Sequence, residues 1–306
     1  MKTSIIGGGA LGLLWSARLA IAGFPVTLVT RTRAQASLIN EAGIILRSLS
    51  GEERAVQVQA CSAQTVTAGK TDWLFVMVKQ MDLPEAVSLI PALAHPGTQV
   101  LFWQNGWGHG EVISGLSAIA DTYLAVTTEG ALRQEANRVV HTGDGETWVG
   151  PYPERRQTVP PLLRPFFQLS EKIAWDQGIL VRIWEKLAVN CVINPLTALE
   201  EKRNGEMAHP RYEKVKQAII EELVCVAKAE GIRLDPMALR EKAERVIQFT
   251  ARNQSSMLQD MKRGRKTEID YINGVVVKLG AKWRFPTPIN AELVQRIHAK
   301  EAQIGC

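Results

Sequence analysis

The chain has 306 residues, 46% hydrophobic and 22% charged, which excludes a disordered or fibrous protein and provides length for two domains of about 150 residues each. Its formal net charge of +5 and sequence pI near 9.0 favour anionic ligands, but that charge is thin over so large a surface. Cys61, Cys191, Cys225 and Cys306 are far apart and form no C-x-x-C pair, so neither a zinc site nor a disulfide framework is legible, and a reducing cytoplasm fits best.

At the N-terminus, Lys2, a weakly polar stretch and Ala20-Ile21-Ala22 imitate a signal peptide. Arg18 interrupts that stretch, and three glycines within it have a better explanation. Thr3-Ser-Ile-Ile6 reads as a strand, Ala10 to Ala22 as a helix and Val26-Thr-Leu-Val29 as a second strand. Between the first strand and the helix, Gly7-Gly8-Gly9-Ala10-Leu11-Gly12 satisfies G-x-G-x-x-G. In that setting Gly7 permits a tight turn, Gly9 lets backbone approach a pyrophosphate and Gly12 lets helix and strand pack closely, while free N–H groups of the helix N-terminus face the phosphates. The segment is expected to bind a dinucleotide through Gly7, Gly9, Ala10, Leu11 and Gly12.

The second strand ends at Val29-Thr30-Arg31, without the carboxylate that would bind both ribose hydroxyls of NAD. A guanidinium there suits the 2′-phosphate of NADP, with Arg33 as support; the alternative is an exposed loop arginine. NADP(H) is therefore the expected cofactor.

Trp73 to Val78, Gln99 to Trp103 and Tyr123 to Thr127 are further strand candidates, separated by turn signals at Leu83-Pro84, Pro96-Gly97 and Asn105-Gly106. Strands recurring with helical intervals imply a doubly wound parallel sheet of Rossmann type. Lys79 and Asn105 each follow one of these strands at its carboxyl end, where open α/β sheets bind ligands, although either could be an ordinary loop polar group. Arg138-Val-Val-His141 and Thr147-Trp-Val-Gly150, joined through Gly143-Asp144-Gly145, read as an antiparallel hairpin closing this domain.

Beyond about residue 178 the helical period takes over, so a Rossmann-type domain over 1–178 and an all-α domain over 179–306 are expected. In Trp184-Glu-Lys186-Leu-Ala-Val-Asn190-Cys-Val-Ile-Asn194-Pro195, three polar residues four apart fall within a sector of about 80° amid apolar sequence. A buried polar stripe is costly unless it faces partners or a cavity. Asparagines bonding to backbone near a Pro195 break would explain it structurally. A ligand cavity containing Lys186, its pKa lowered by burial, would explain it functionally.

Val215, Ile219, Leu223 and Val226 form one face of a helix ended by Gly231. Next comes the polar cluster Asn253-Gln254-Ser255-Ser256, and then the densest basic run, Lys262 to Lys266, which lacks interleaved aromatics and reads as a solvated turn; no nucleic acid is expected. Ile269, Ile272, Val276 and Leu279 form another helical face, with Thr267 and Asp270 resembling a capping box and Glu268 in the first turn, where the macrodipole favours a carboxylate. No apolar run approaches the ~18 residues of a membrane span, and none of His95, His109, His141, His209 and His298 has metal-ligand spacing. Neither a membrane nor a metal is expected, and Cys191 reads as a packed core thiol.

Taken together, these residues resemble the ketopantoate reductases (2-dehydropantoate 2-reductases) essentially end to end. The resemblance runs through G-G-G-A-L-G, Arg31, Val78-Lys79, Gln104-Asn105-Gly106, Trp184 to Leu196, Asn204-Gly205-Glu206, Ser255 to Asp260 and Thr267 to Gly274. It implies NADPH-dependent reduction of 2-dehydropantoate to (R)-pantoate, a step towards pantothenate and coenzyme A, with the site in a cleft between a Rossmann domain and a helical domain. By position, Lys186 would be the general acid and Glu268 would interact with a substrate hydroxyl and support the lysine. Asn190, Asn194, Asn204, Asn253 and Ser256 would hold the substrate; Lys79 and Asn105 would lie beside nicotinamide and ribose, Asn105 touching substrate too. Leu132 stands near the cofactor where a smaller residue is frequent, and Trp103 and Trp107 flank the Asn105 turn with unusual bulk, which leaves room for altered access.

The expected partner is a small 2-oxo acid, with a homodimer as one open assembly state. The alternatives are a paralogous reductase of another branched 2-oxo acid and a non-catalytic NADP(H)-sensing regulator.

Overall fold

A computed structural model describes residues 1–66, 69–116, 119–153 and 158–305. Cys306 lies outside the described residues. The chain divides into two compact units, Met1–Gln104 with His109–Ile179, and Asn105–Gly108 with Leu180–Cys306. Among the described residues no helix is long and apolar enough to cross a membrane.

In the first unit, β1 (Thr3–Ile6), α1 (Ala10–Ile21) and β2 (Val26–Thr30) form the βαβ opening. They are followed by α2 (Arg33–Ala42), β3 (Ile44–Arg47), β4 (Glu53–Val56), β5 (Gln59–Ser62), β6 (Trp73–Val76), α3 (Leu83–Ser88), α4 (Ile90–Leu93), β7 (Gln99–Phe102), α5 (Gly110–Ser114) and β8 (Asp121–Thr127). The unit ends with β9 (Gly130–Arg133), β10 (Arg138–Gly143), β11 (Thr147–Pro151), α6 (Arg164–Phe167) and β12 (Ile173–Trp175). An eight-stranded sheet runs β12-β11-β8-β7-β6-β1-β2-β5 and a four-stranded sheet runs β4-β3-β10-β9. From β5 through β8 the large sheet is parallel, and β1, β6 and β7 are buried along their whole length, as a parallel sheet covered on both faces requires.

The expected hairpin of residues 138–141 and 147–150 does not form. β10 pairs with β9 and β3 in the small sheet, whereas β11 pairs antiparallel with β8 in the large one. Gly145 decides the path: a Cβ there would lie 2.3 Å from the Thr128 carbonyl carbon. Thr128 N–H donates to Glu146 O at 2.9 Å, so the turn runs alongside the end of β8 instead of folding β11 back on β10.

Trp103, the bulky residue before Gln104-Asn105, packs inward. It is buried in an aromatic cluster with Trp15 (5.7 Å between centroids), Phe75 (5.3 Å) and Phe166 (6.0 Å), pairs that each add about 0.5–1.5 kcal/mol beyond their buried area.

The second unit is helical: α7 (Ile179–Glu200) begins at its boundary, followed by α8 (Glu213–Ala229), α9 (Pro236–Phe249), α10 (Ser256–Lys262), α11 (Asn273–Trp283) and α12 (Pro288–Gln303). α8 ends as expected, with Gly231 at φ +83° and Ile232 N–H bonded to Ala227 O at 2.8 Å. Pro195, however, does not break α7. A proline at that position removes the N–H that would pair with Cys191 O. The buried Nδ2 of Asn273 supplies a donor there instead (3.1 Å) and also donates to Asn290 Oδ1 (2.9 Å), so the helix continues to Glu200. Cys191 itself is buried in the helical core.

The helix expected to begin at Thr267 also starts later. Residues Ile269–Tyr271 form a 3-10 turn, Ile272 breaks the path at φ −105°, ψ −91°, and α11 begins at Asn273. Asp270 pairs with His298 (2.9 Å) instead of closing a capping box, and Glu268 precedes the short turn instead of sitting in the first turn of a helix.

Candidate active site

In the glycine loop, Gly7 has φ +121° and a Cβ on Gly12 would lie 1.8 Å from Gly7 O, so both positions need glycine to close the strand-to-helix turn. Gly9 is different. It is the N-cap of α1, and a Cβ there would meet nothing within 4 Å. Space at Gly9, free N–H groups of Ala10 and Leu11, and a first turn of α1 without acidic residues together suit a pyrophosphate. Two donors that the sequence reading missed fix the loop from outside: Gln35 Nε2 and Arg133 Nη1 each bond Gly8 O at 2.9 Å. Arg133 follows Leu132, which is half-buried on β9 opposite Val140; nothing in the motif spacing pointed to the arginine.

Arg31 directly follows β2, is mostly exposed and pairs with Asp82. Lys79 begins the 3-10 turn that ends at Asp82, whose N–H bonds Lys79 O at 3.0 Å.

In the second unit, Lys186 and Asn190 are partly buried and Asn194 is buried, all on α7. Lys186 Nζ donates to Asn105 Oδ1 at 2.8 Å. Burial lowers the ammonium's pKa from 10.5 to about 8, and the nearby Glu268 carboxylate opposes that fall. The 3-10 turn after Glu268 holds the Asn105 segment in place: Trp107 N–H donates to Tyr271 O at 3.0 Å, and a Cβ on Gly106, at φ +77°, would lie 2.2 Å from that same oxygen. On its other side Trp107 packs 6.3 Å from Trp184, two residues before Lys186. The bulk of Trp107 therefore braces the asparagine. Tyr271 acts through its backbone, which leaves no side-chain signal in a sequence.

A second grouping forms around Asn204. Its Nδ2 donates to Thr250 Oγ1 at 2.9 Å and its N–H to Asn253 O at 3.0 Å, while its buried Oδ1 has no partner among the described residues. Asn253 and Ser256 are exposed. The neighbouring Ser255 caps α10 and accepts from Thr197 Oγ1 at 2.7 Å, tying that cap to α7 three residues beyond Asn194. The 370 Å³ cavity between α8 and α9, lined by Glu213, Lys216 and Glu244, includes none of these groups.

The model of the ketopantoate reductase PanE/ApbA family matches residues 3–154, and that of its C-terminal domain matches residues 179–301. The chain belongs to the ketopantoate reductase family. A 2-dehydropantoate 2-reductase of Vibrio cholerae is 36% identical over 302 residues, covering 98% of each chain. The crystal structure of a probable 2-dehydropantoate 2-reductase from Bacillus subtilis superposes with a TM-score of 0.85 at 31% identity, covering 98% of this chain and 100% of that one. A D-mandelate dehydrogenase solved with NADH and anilino(oxo)acetate superposes with a TM-score of 0.91 at 25% identity, covering 100% and 99%. Membership of this family makes the chain an oxidoreductase with a Rossmann-like unit and a helical C-terminal region.

Proposed function

We propose that this chain reduces the 2-oxo group of 2-dehydropantoate to (R)-pantoate, with NADPH as reductant and Lys186 as the proton donor. The observation that carries the reading is the Lys186–Asn105 hydrogen bond, which aims an ammonium whose pKa is lowered by burial. The bound dinucleotide supplies the hydride. As negative charge develops on the carbonyl oxygen, Lys186 Nζ transfers its proton to that oxygen, and its fixed position means little reorganisation at that moment. Asn105 Oδ1 orients the ammonium, and the Glu268 carboxylate keeps it protonated near neutral pH. The unpartnered Oδ1 of Asn204 can accept from a substrate hydroxyl, with Asn190, Asn194, Asn253 and Ser256 as further polar contacts.

In the first unit, Gly7, Gly9, Ala10, Leu11 and Gly12 form the pyrophosphate cradle, with Lys79 and Leu132 as further coenzyme contacts. Arg31, helped by Arg33, reads the 2′-phosphate, since β2 ends without the carboxylate NAD would use. The domain boundary in this proposal is 178/179. A cytoplasmic location belongs to the same proposal, supported by free thiols at Cys61, Cys191 and Cys225.

The fit to D-mandelate dehydrogenase favours a second reading, a paralogous reductase of another branched or aryl-bearing 2-oxo acid. Initial rates of NADPH and NADH oxidation with 2-dehydropantoate, phenylglyoxylate and branched 2-oxo acids separate the two. Highest kcat/KM with 2-dehydropantoate and NADPH upholds the main reading, and highest kcat/KM with phenylglyoxylate or another acid replaces it with the second. Tight NADPH binding without turnover of any of them points to the regulator.

A further inference from the structure

We propose that Asp82 sets this chain's coenzyme selectivity by competing with the 2′-phosphate of NADPH for Arg31, an inference that rests on the reading of Arg31 given above. Arg31 leaves the carboxyl end of β2, and Asp82 closes the 3-10 turn that leaves the carboxyl end of β6. The strand order β6-β1-β2 puts one strand between them. Their ion pair spans that gap, with the Arg31 side chain 64% and the Asp82 side chain 29% exposed. A pair so open to water is weak and readily exchanges partners.

The Asp82 carboxylate pairs with Arg31 and does not cap the helix that follows it. The same turn begins with Lys79, another proposed coenzyme contact, so the turn that carries Asp82 also carries a residue of the proposed coenzyme site.

The two coenzymes meet this arrangement differently. NADH has no 2′-phosphate, so it leaves the ion pair intact. NADPH must draw Arg31 off Asp82 to make its charge-assisted bonds, and its dianion then sits near a carboxylate that has lost its partner. Asp82 therefore weakens NADPH binding and leaves NADH binding alone, which narrows the preference that Arg31 creates.

Dissociation constants of NADPH and NADH, read from the fluorescence of the reduced nicotinamide on titration with the purified full chain at low and high salt, test the idea without turnover. In D82N the ratio Kd(NADH)/Kd(NADPH) should rise about two- to fivefold at low salt, the range expected for removing one exposed ionic partner. D82E, which keeps the charge, should stay near wild type, and high salt should shrink the D82N effect. An unchanged or lowered ratio in D82N overturns the proposal; a lowered one would mean that Asp82 orients Arg31 for the phosphate. R31A tests the underlying reading separately: loss of NADPH affinity upholds Arg31 as the phosphate reader, and an unchanged wild-type ratio refutes it whatever D82N does.

Discussion

Asn105 Oδ1 accepts a 2.8 Å hydrogen bond from Lys186 Nζ across 81 residues of sequence. Asn105 follows a strand of the Rossmann-like unit, yet the segment Asn105–Gly108 packs with the helical unit, fastened to Tyr271 and Trp184. Lys186 is thus held from two directions, by its own helix and by a segment of distant sequence.

This arrangement sets a pH dependence. Lys186 must be protonated to act as an acid, and burial places its pKa at about 8. The kcat/KM for reduction should be level below that value and fall about tenfold per pH unit above it. Glu268 raises the lysine's pKa, so Glu268→Gln should move the alkaline limb to lower pH. Oxidation of the hydroxy acid needs neutral Lys186 and should rise through the same range. A limb that stays in place in Glu268→Gln would contradict the electrostatic assignment.

Gly9 and Gly12 should separate coenzyme binding from folding. Gly9→Ala meets no protein atom within 4 Å, so its stability cost should not exceed about 1 kcal/mol, the scale of an N-cap change. Coenzyme affinity in this variant should fall about tenfold or more, because the methyl group occupies the pyrophosphate's approach. Gly12→Ala, with its Cβ 1.8 Å from Gly7 O, should be destabilised by about 2 kcal/mol or more. Thermal melting and fluorescence titration of both variants read the contrast, which disappears if the pyrophosphate lies elsewhere.

His109 should make the fold acid-sensitive. It is buried, its Nδ1 faces Gln80 Nε2 at 2.7 Å, and burial lowers its pKa from 6.5 to about 4. Between those values the unfolded chain takes up a proton that the folded chain does not. Stability is therefore full above pH 6.5 and is lost as pH falls towards 4, by about 3 kcal/mol from this group alone. Urea denaturation of wild type and His109→Gln at pH 7 and near 4.5 measures the difference. A variant as acid-sensitive as the parent would refute it.

Several features of the chain were legible because they follow local rules. The β1-α1-β2 opening appeared through hydrophobic period and glycine spacing, and the Lys186, Asn190 and Asn194 stripe through the repeat of the helix. What escaped depends on distant partners. The turn residues 143–145 suit a hairpin, but only packing beside β8 determines that β11 joins the large sheet. Pro195 signals a helix break unless a donor such as Asn273 reaches Cys191 O, and that asparagine lies 82 residues away. The bulk of Trp103 and Trp107 gave no hint that one fills an aromatic core while the other braces the Asn105 segment.

The central claim is that Lys186 delivers the proton, and its most direct test is Lys186→Ala, measured for turnover and coenzyme affinity together. The account predicts that kcat falls by about 10² to 10⁴ while the dissociation constant of NADPH stays within about twofold of wild type. A variant that keeps its kcat would contradict the assignment, whatever its substrate.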